Sequence, residues 1–172
     1  MTIATSRTLL VPYTEQLEHD FIVLNCCSVN RAEMNGPHTL KTAKRLFSEI
    51  LSREKHFARA VIDNNTREYI GHLAITQFDG ENELVFLIDK AFWNKGIASE
   101  VLRPFFSMAC FELNIGHVMA TVSVDHQASI RLLEKLGFTQ QAIKKDAYGP
   151  YYLYHFNDGK SSTSYEVVAQ SA

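Results

Sequence analysis

A chain of 172 residues, 46% hydrophobic and 21% charged, has the length of one domain and enough apolar side chains for a real core. Its formal net charge of -2 gives no electrostatic case for nucleic acid or an anionic membrane as a partner. Three cysteines, with Cys26 and Cys27 adjacent, and the lack of any CxxC or Cys/His spacing argue against a disulfide framework and against zinc.

The N-terminus has no apolar run of signal-peptide length, and no stretch approaches a membrane span, so the expected compartment is the cytoplasm. Thr8 to Val11 is a short apolar run closed by Pro12, which predicts an edge strand. Thr14 is placed to cap a helix carrying Leu17, Phe21 and Leu24 on one face. After a turn at Asn35-Gly36-Pro37, Thr39 is placed to cap a second helix. Its apolar positions are Leu40, Ala43, Leu46, Phe47, Ile50 and Leu51, with Lys41, Lys44 and Arg45 on the solvated face.

From Phe57 the period changes. Phe57 to Ile62, Tyr69 to Phe78 and Glu83 to Asp89 read as three strands of an antiparallel meander, joined by Asn64-Asn65-Thr66 and the hairpin signal Asp79-Gly80. Gly71, inside the second of these, marks either a bulge or a close backbone approach. A tight loop around Gly96 follows, then a long helix with Val101, Leu102, Phe105, Phe106, Ala109 and Leu113. Pro104 should kink that helix or delay its start. His117 to Val124 is a strand, expected parallel to Glu83–Asp89 through a right-handed crossover. Asp125 or His126 opens another helix with Ile130, Leu133 and Leu136, ending at Gly137 as C-cap. Phe138 to Ile143 and Tyr151 to Phe156 are the last strands, around a turn at Tyr148-Gly149-Pro150. The domain is bounded at 1–156, with 157–172 a polar tail.

The stretch with chemistry in it is Phe92-Trp93-Asn94-Lys95-Gly96-Ile97-Ala98-Ser99-Glu100, between an apolar strand and a helix. Free N–H groups and the positive end of the helix dipole point into such a loop, and Gly96 lets the backbone approach a phosphate. Alone, the pattern fits an ordinary strand–helix connection as well as an anion site. With Ala128-Ser129-Ile130-Arg131-Leu132-Leu133-Glu134-Lys135-Leu136-Gly137-Phe138 it resembles the GNAT acetyltransferase superfamily. Within it, Arg7 to Tyr13 and Tyr69-Ile70-Gly71-His72-Leu73 resemble the ribosomal-protein branch, RimJ and RimL. The resemblance covers most of residues 7 to 156.

It implies a single α/β domain of GNAT type: a mixed, mostly antiparallel, seven-stranded sheet with helices on both faces. It implies acetyl-coenzyme A (acetyl-CoA) as cosubstrate. The pyrophosphate is expected on Asn94, Lys95, Gly96, Ile97, Ala98 and Ser99, and the pantetheine arm along Phe86, Leu87 and Ile88, where two parallel strands splay. His126 stands where the family usually has a coenzyme-binding Asn. Leu133 stands where many members carry the Tyr that reprotonates the thiolate, and Ser129 is the substitute acid, also touching the coenzyme.

Glu83, opening the strand that meets the cofactor, is the first candidate for general base, against the plainer reading of a solvated hairpin charge beside Asp79 and Glu81. His72, able to titrate near neutrality, is the second, against a structural role. His117 and His155 have no supporting pattern, and Cys110 lies in an apolar helix without a His partner. Tyr148 and Tyr151 fall on the hairpin that walls the acceptor cleft in this family.

The expected reaction is direct acetyl transfer to a primary amine, first a protein N-terminal α-amino group. At neutral pH its deprotonation costs about 3 kcal/mol less than that of a lysine. The alternatives are a small-molecule amine (a polyamine, an amino acid, an aminoglycoside) and a coenzyme-binding protein without turnover. The expected assembly is a monomer or homodimer, with no nucleic acid or membrane partner.

Overall fold

The structure, a computed structural model, describes residues 1–160. In chain order it forms β1 (Ile3–Ala4), β2 (Thr8–Val11), α1 (Glu18–Cys26), α2 (Leu40–Ser52), β3 (His56–Asp63), β4 (Tyr69–Phe78), β5 (Glu81–Ile88), α3 (Ile97–Leu113), β6 (His117–Ser123), α4 (Gln127–Leu136), β7 (Thr139–Asp146) and β8 (Gly149–Asn157). All the strands join one sheet in the order β1-β2-β3-β4-β5-β6-β8-β7. Every neighbouring pair is antiparallel except β5 and β6.

The sheet is therefore eight-stranded rather than seven-stranded. The added strand is Ile3–Ala4, paired with Leu10 and Leu9; two residues are too few to show any period in sequence.

Helices cover both faces, and the two faces are built differently. On one, Leu73, Ile75, Leu84, Ile88, Val118 and Val122 of the sheet pack on Val101, Leu102, Phe105 and Phe106 of α3 and Ile130 and Leu133 of α4. On the other, the sheet offers Ala58, Ala60 and Ala74. These small residues leave room for Tyr13, Phe21 and Phe47, whose ring centroids lie 5.3 to 5.9 Å apart. Burying each phenyl ring contributes roughly 1.5–3 kcal/mol, so these rings hold α1 and α2 on the sheet.

Local signals decide most element ends. The Thr39 hydroxyl accepts from the Thr42 amide and starts α2. Gly137, at φ 96°, closes α4. Asp79 and Gly80, at φ 49° and 81°, make a two-residue hairpin whose handed twist matches the strands. At other ends the structure is more specific than the sequence. Thr14 makes no side-chain cap; a single 3-10 turn, Glu15–Leu17, precedes α1. Pro104 does not delay α3, because the flanking Val101, Leu102, Phe105 and Phe106 are all buried and hold the helix through it. Of Asp125 and His126, His126 is the one that opens α4: it is the N-cap, its carbonyl accepting from the Ile130 amide at 3.1 Å, with Gln127 the first helical residue and no side-chain cap. The last turn sits at Ala147-Tyr148, so Gly149 and Pro150 already pair in β8, with Asp146 and Lys145. Asn157 ends β8 rather than opening a tail, and residues 161–172 lie outside the described residues.

Gly71 is a close approach. A Cβ there would collide with the Leu87 carbonyl oxygen and reach Ile88. Gly71→Ala is expected to destabilise the fold by about 1–3 kcal/mol in urea unfolding. An unchanged midpoint would show that β4 and β5 can part there without penalty.

Candidate active site

The parallel pair is where the sheet opens. β5 and β6 share only one register pair, Glu83 with Met119. Beyond it β5 continues to Ile88 along β4 alone, while β6 stays paired to β8 through Ser123. The Asp89 amide bonds Ile70 across to β4. By strand alternation the backbone groups of Leu84, Phe86 and Ile88 therefore face the gap. The indole of Trp93 donates to the Ile88 carbonyl at 2.7 Å and occupies it. The polar edge of Phe86 has no strand opposite it. A cavity of about 1050 Å³ runs through this opening, walled by β5, the loop before α3, the start of α4, and the segment between α1 and α2.

The loop before α3 meets the opening end-on. Asn94 and Gly96 are both left-handed, at φ 59° and 74°, and turn the chain into the helix. The Glu100 amide is the first to find a helical carbonyl, that of Gly96 at 3.1 Å. The amides of Ile97, Ala98 and Ser99 thus point out of the helix start unpaired by it. A Cβ on Gly96 would meet only the Arg7 guanidinium, at 3.6 Å. This is an open cradle of N–H groups with the helix dipole behind it, and the donor set fits a pyrophosphate.

Arg7 pins the cradle, a role the sequence did not signal. Its Nη1 donates to the Lys95 carbonyl at 2.7 Å, and its Nε to Glu100 at 2.7 Å. Glu100 also accepts from the Arg7 amide and the Ser6 and Thr5 hydroxyls. Burial raises its carboxyl, but these hydrogen bonds together outweigh it and hold the group at about 2.

Opposite β5, α4 brings His126 and Ser129 to the cavity wall. The Ser129 hydroxyl is buried and lies 3.4 Å from His126 Nε2. Burial lowers the His126 imidazole, so it is neutral at pH 7. Leu133, also at the wall, is 1% exposed and belongs to the core, in keeping with a position that cannot donate.

Glu83 stands at the point of divergence. Burial pushes its carboxyl up, offset in part by the Thr121 hydroxyl at 3.5 Å on β6. Its carboxyl is therefore partly desolvated where the two strands part.

His72 does not titrate near neutrality. Burial drops its pKa to about 3, since the ring sits under the aromatic cluster with its Nδ1 2.9 Å from the Tyr13 hydroxyl. His117 and His155 meet at 3.2 Å beside Glu81, away from the cavity. Burial raises the Cys110 thiol to about 11, which removes it as a nucleophile. Tyr148 and Tyr151 do line the cavity. The segment between α1 and α2 is tied to the end of β5: the Asn30 amide group donates to Asp89 at 3.0 Å and accepts from the Lys90 amide at 2.8 Å. Nothing in the spacing of Asn30 and Asp89 marks that contact.

The family model described as an acetyltransferase (GNAT) domain matches residues 7–139. An uncharacterised N-acetyltransferase of Bacillus subtilis, YoaA, is 30% identical over 96% of each chain. The segments shared with two further Bacillus N-acetyltransferases span only 51% and 46% of those proteins. Among solved structures, spermidine N-acetyltransferase from Vibrio cholerae, bound to CoA and spermine, is 14% identical with a TM-score of 0.77, covering 88% of this chain and 96% of that one. A Salmonella typhimurium acetyltransferase that modifies the N-terminal serine of ribosomal protein L7/L12 is 18% identical with a TM-score of 0.73, covering 91% and 99%. These likenesses carry the fold.

The Glu100 contacts add stability that is full above its ordinary 4.5 and is lost as pH falls through about 2. The melting temperature of the parent should exceed that of Glu100→Gln at neutral pH, and the gap should close as pH drops from about 5 toward about 2. A constant gap would mean the carboxylate is not ion-paired in solution.

Proposed function

The chain belongs to the GNAT acetyltransferase family, and we propose that it acetylates a protein N-terminal α-amino group, as its RimJ/RimL-like motifs imply. The observation that carries the transfer reading is the single β5–β6 pair at Glu83–Met119, which opens the sheet beside the cradle of amides. Acetyl-coenzyme A supplies the acetyl group as an activated thioester.

Each expected site residue has a part. The amides of the loop from Asn94 to Ser99 hold the pyrophosphate. The open edge at Phe86, with Leu87 and Ile88, receives the pantetheine arm as a strand would. A gap-facing N–H there stabilises negative charge developing on the acyl oxygen. Glu83 takes the proton from the amine, directly or through water; an α-amino group near pKa 8 asks little of it. Ser129 Oγ holds the proton for the departing thiolate, oriented by His126 Nε2. His126 also stands in for the usual Asn as a coenzyme contact.

A small-molecule amine is the second reading, favoured by the comparable structural likeness to the spermidine enzyme. Release of free thiol on mixing with any amine separates both from a coenzyme binder without turnover. No helix among the described residues is long and apolar enough to cross a membrane. The three free cysteines support a reducing, cytoplasmic setting.

Gly96→Glu is expected to abolish acetyl-coenzyme A binding in calorimetry, because charge and bulk enter the cradle; unchanged affinity would put the coenzyme elsewhere. Glu83→Gln is expected to lower kcat about a hundredfold and to remove the acid limb of the pH–rate profile. A profile matching the parent would move the base to another group.

A further inference from the structure

The segment between α1 and α2 holds a cation without a counter-charge. Arg31 lines the cavity, half-buried. Its Nε donates to the Gly36 carbonyl at 2.8 Å, its Nη2 to the Met34 carbonyl at 2.8 Å, and its Nη1 to Asn25 Oδ1 at 3.2 Å. All three acceptors are neutral. The ion pairs among the described residues are Arg7–Glu100, His56–Glu49 and His117–Glu81, and none includes Arg31. Burial lowers its pKa, and the only neighbour that opposes the shift is the Cys26 thiol, not a carboxylate. A partly desolvated guanidinium held by neutral groups alone is unfavourable, and its two remaining N–H groups, one on each terminal nitrogen, form a fork. A carboxylate fits that fork in two parallel bonds.

His72 lines the same cavity. His72 is 5% exposed, and its Nδ1 is held by Tyr13, whose hydroxyl is 2.7 Å from that of Tyr69. Its Nε2 has no partner among the described residues. Since none of their fully buried side-chain nitrogens or oxygens lacks one, Nε2 reaches the cavity, whose wall includes His72. The Tyr69–Tyr13–Nδ1 chain of hydrogen bonds fixes the ring at the wall. Burial lowers the pKa of His38 and His56 on the same wall, which leaves Arg31 as the permanent cation of the α1–α2 segment.

We propose that Arg31 forms an anion subsite for the acceptor, so that the molecule acetylated carries a carboxylate as well as its amine. This rests on the reading that an amine is acetylated in this cleft, and it narrows which amine. Three carboxylates share the wall without pairing with Arg31: Glu83 at the divergence point, Glu33 in the same segment, and Asp146 at the end of β7. An acceptor with both charges is matched at both ends, with its amine at Glu83 and its carboxylate at Arg31. That carboxylate comes from an acidic side chain near a peptide N-terminus, or from the terminal carboxylate of a dipeptide. A polyamine has nothing to offer the fork.

The test uses acceptor pairs differing only in acid against amide. One pair is a tetrapeptide amide with Ser-Asp or Ser-Asn at its N-terminus; the other is glycylglycine and its amide. Binding is measured by calorimetry with coenzyme A present, and turnover by thiol release with acetyl-coenzyme A. At least one acid is expected to bind on the order of tenfold more tightly than its amide. The difference should appear in KM rather than kcat, should vanish in Arg31→Met, and should survive in part in Arg31→Lys. Which pair discriminates identifies the source, peptide or small molecule. Equal binding of acid and amide by the parent in both pairs overturns the subsite, whatever the variants do. Because Arg31 also braces its own segment, the parent's ratio decides even if Arg31→Met misfolds. Discriminating binding without thiol release would keep the subsite and overturn acetyl transfer.

Discussion

Strand pairing between β5 and β6 stops after one residue pair, and the rest of the site is a consequence of that stop. A sheet that parts in its middle exposes backbone N–H and C=O groups that strongly favour partners. Here one carbonyl, that of Ile88, is taken by the Trp93 indole, while the edge at Phe86 stays open toward the cavity. The sheet tolerates the split because each half is anchored independently. β5 is paired along its whole length to β4, and β6 along its whole length to β8. The helices α3 and α4 then bridge the two halves through one core.

The opening needs rigid ends, and charged contacts distant in sequence supply them. Arg7, at the start of β2, grips both the Lys95 carbonyl and the first turn of α3, so the N-terminal edge of the sheet sets the position of the phosphate cradle. At the other end, Asn30 joins the α1–α2 segment to Asp89 and Lys90 just past β5. The α1–α2 segment and the loop before α3 are thus both fastened at the end of β5. Below them lies the aromatic layer of Tyr13, Phe21 and Phe47, which buries His72 and fixes its ring. A histidine that sequence offers as a near-neutral base becomes a neutral hydrogen-bonding group. The difference is first of all desolvation, with the nearby charges of His56 and Arg31 adding to it.

Much of this was legible in order along the chain. The meander from Phe57 to Asp89, the Gly96 loop, the parallel crossover and Gly137 as a helix end follow from hydrophobic period and from residues suited to positive φ. The misses share a cause. Two-residue β1 is too short to carry a period. The contacts of Arg7 with Glu100, and of Asn30 with Asp89, join residues 93 and 59 positions apart. No local pattern announces them.

By itself the sequence determined which segments become strands and helices, where the backbone turns, and that the chain resembles an acetyl-coenzyme A enzyme. Those are properties of neighbouring residues and of motifs. Tertiary structure alone decided that β5 and β6 diverge at Glu83, that burial raises Glu83 and silences His72, and that Arg31 faces the cleft without a carboxylate. Each depends on what lies across the fold from a residue, and local dielectric and pairing are set by that three-dimensional surrounding rather than by neighbours in the chain.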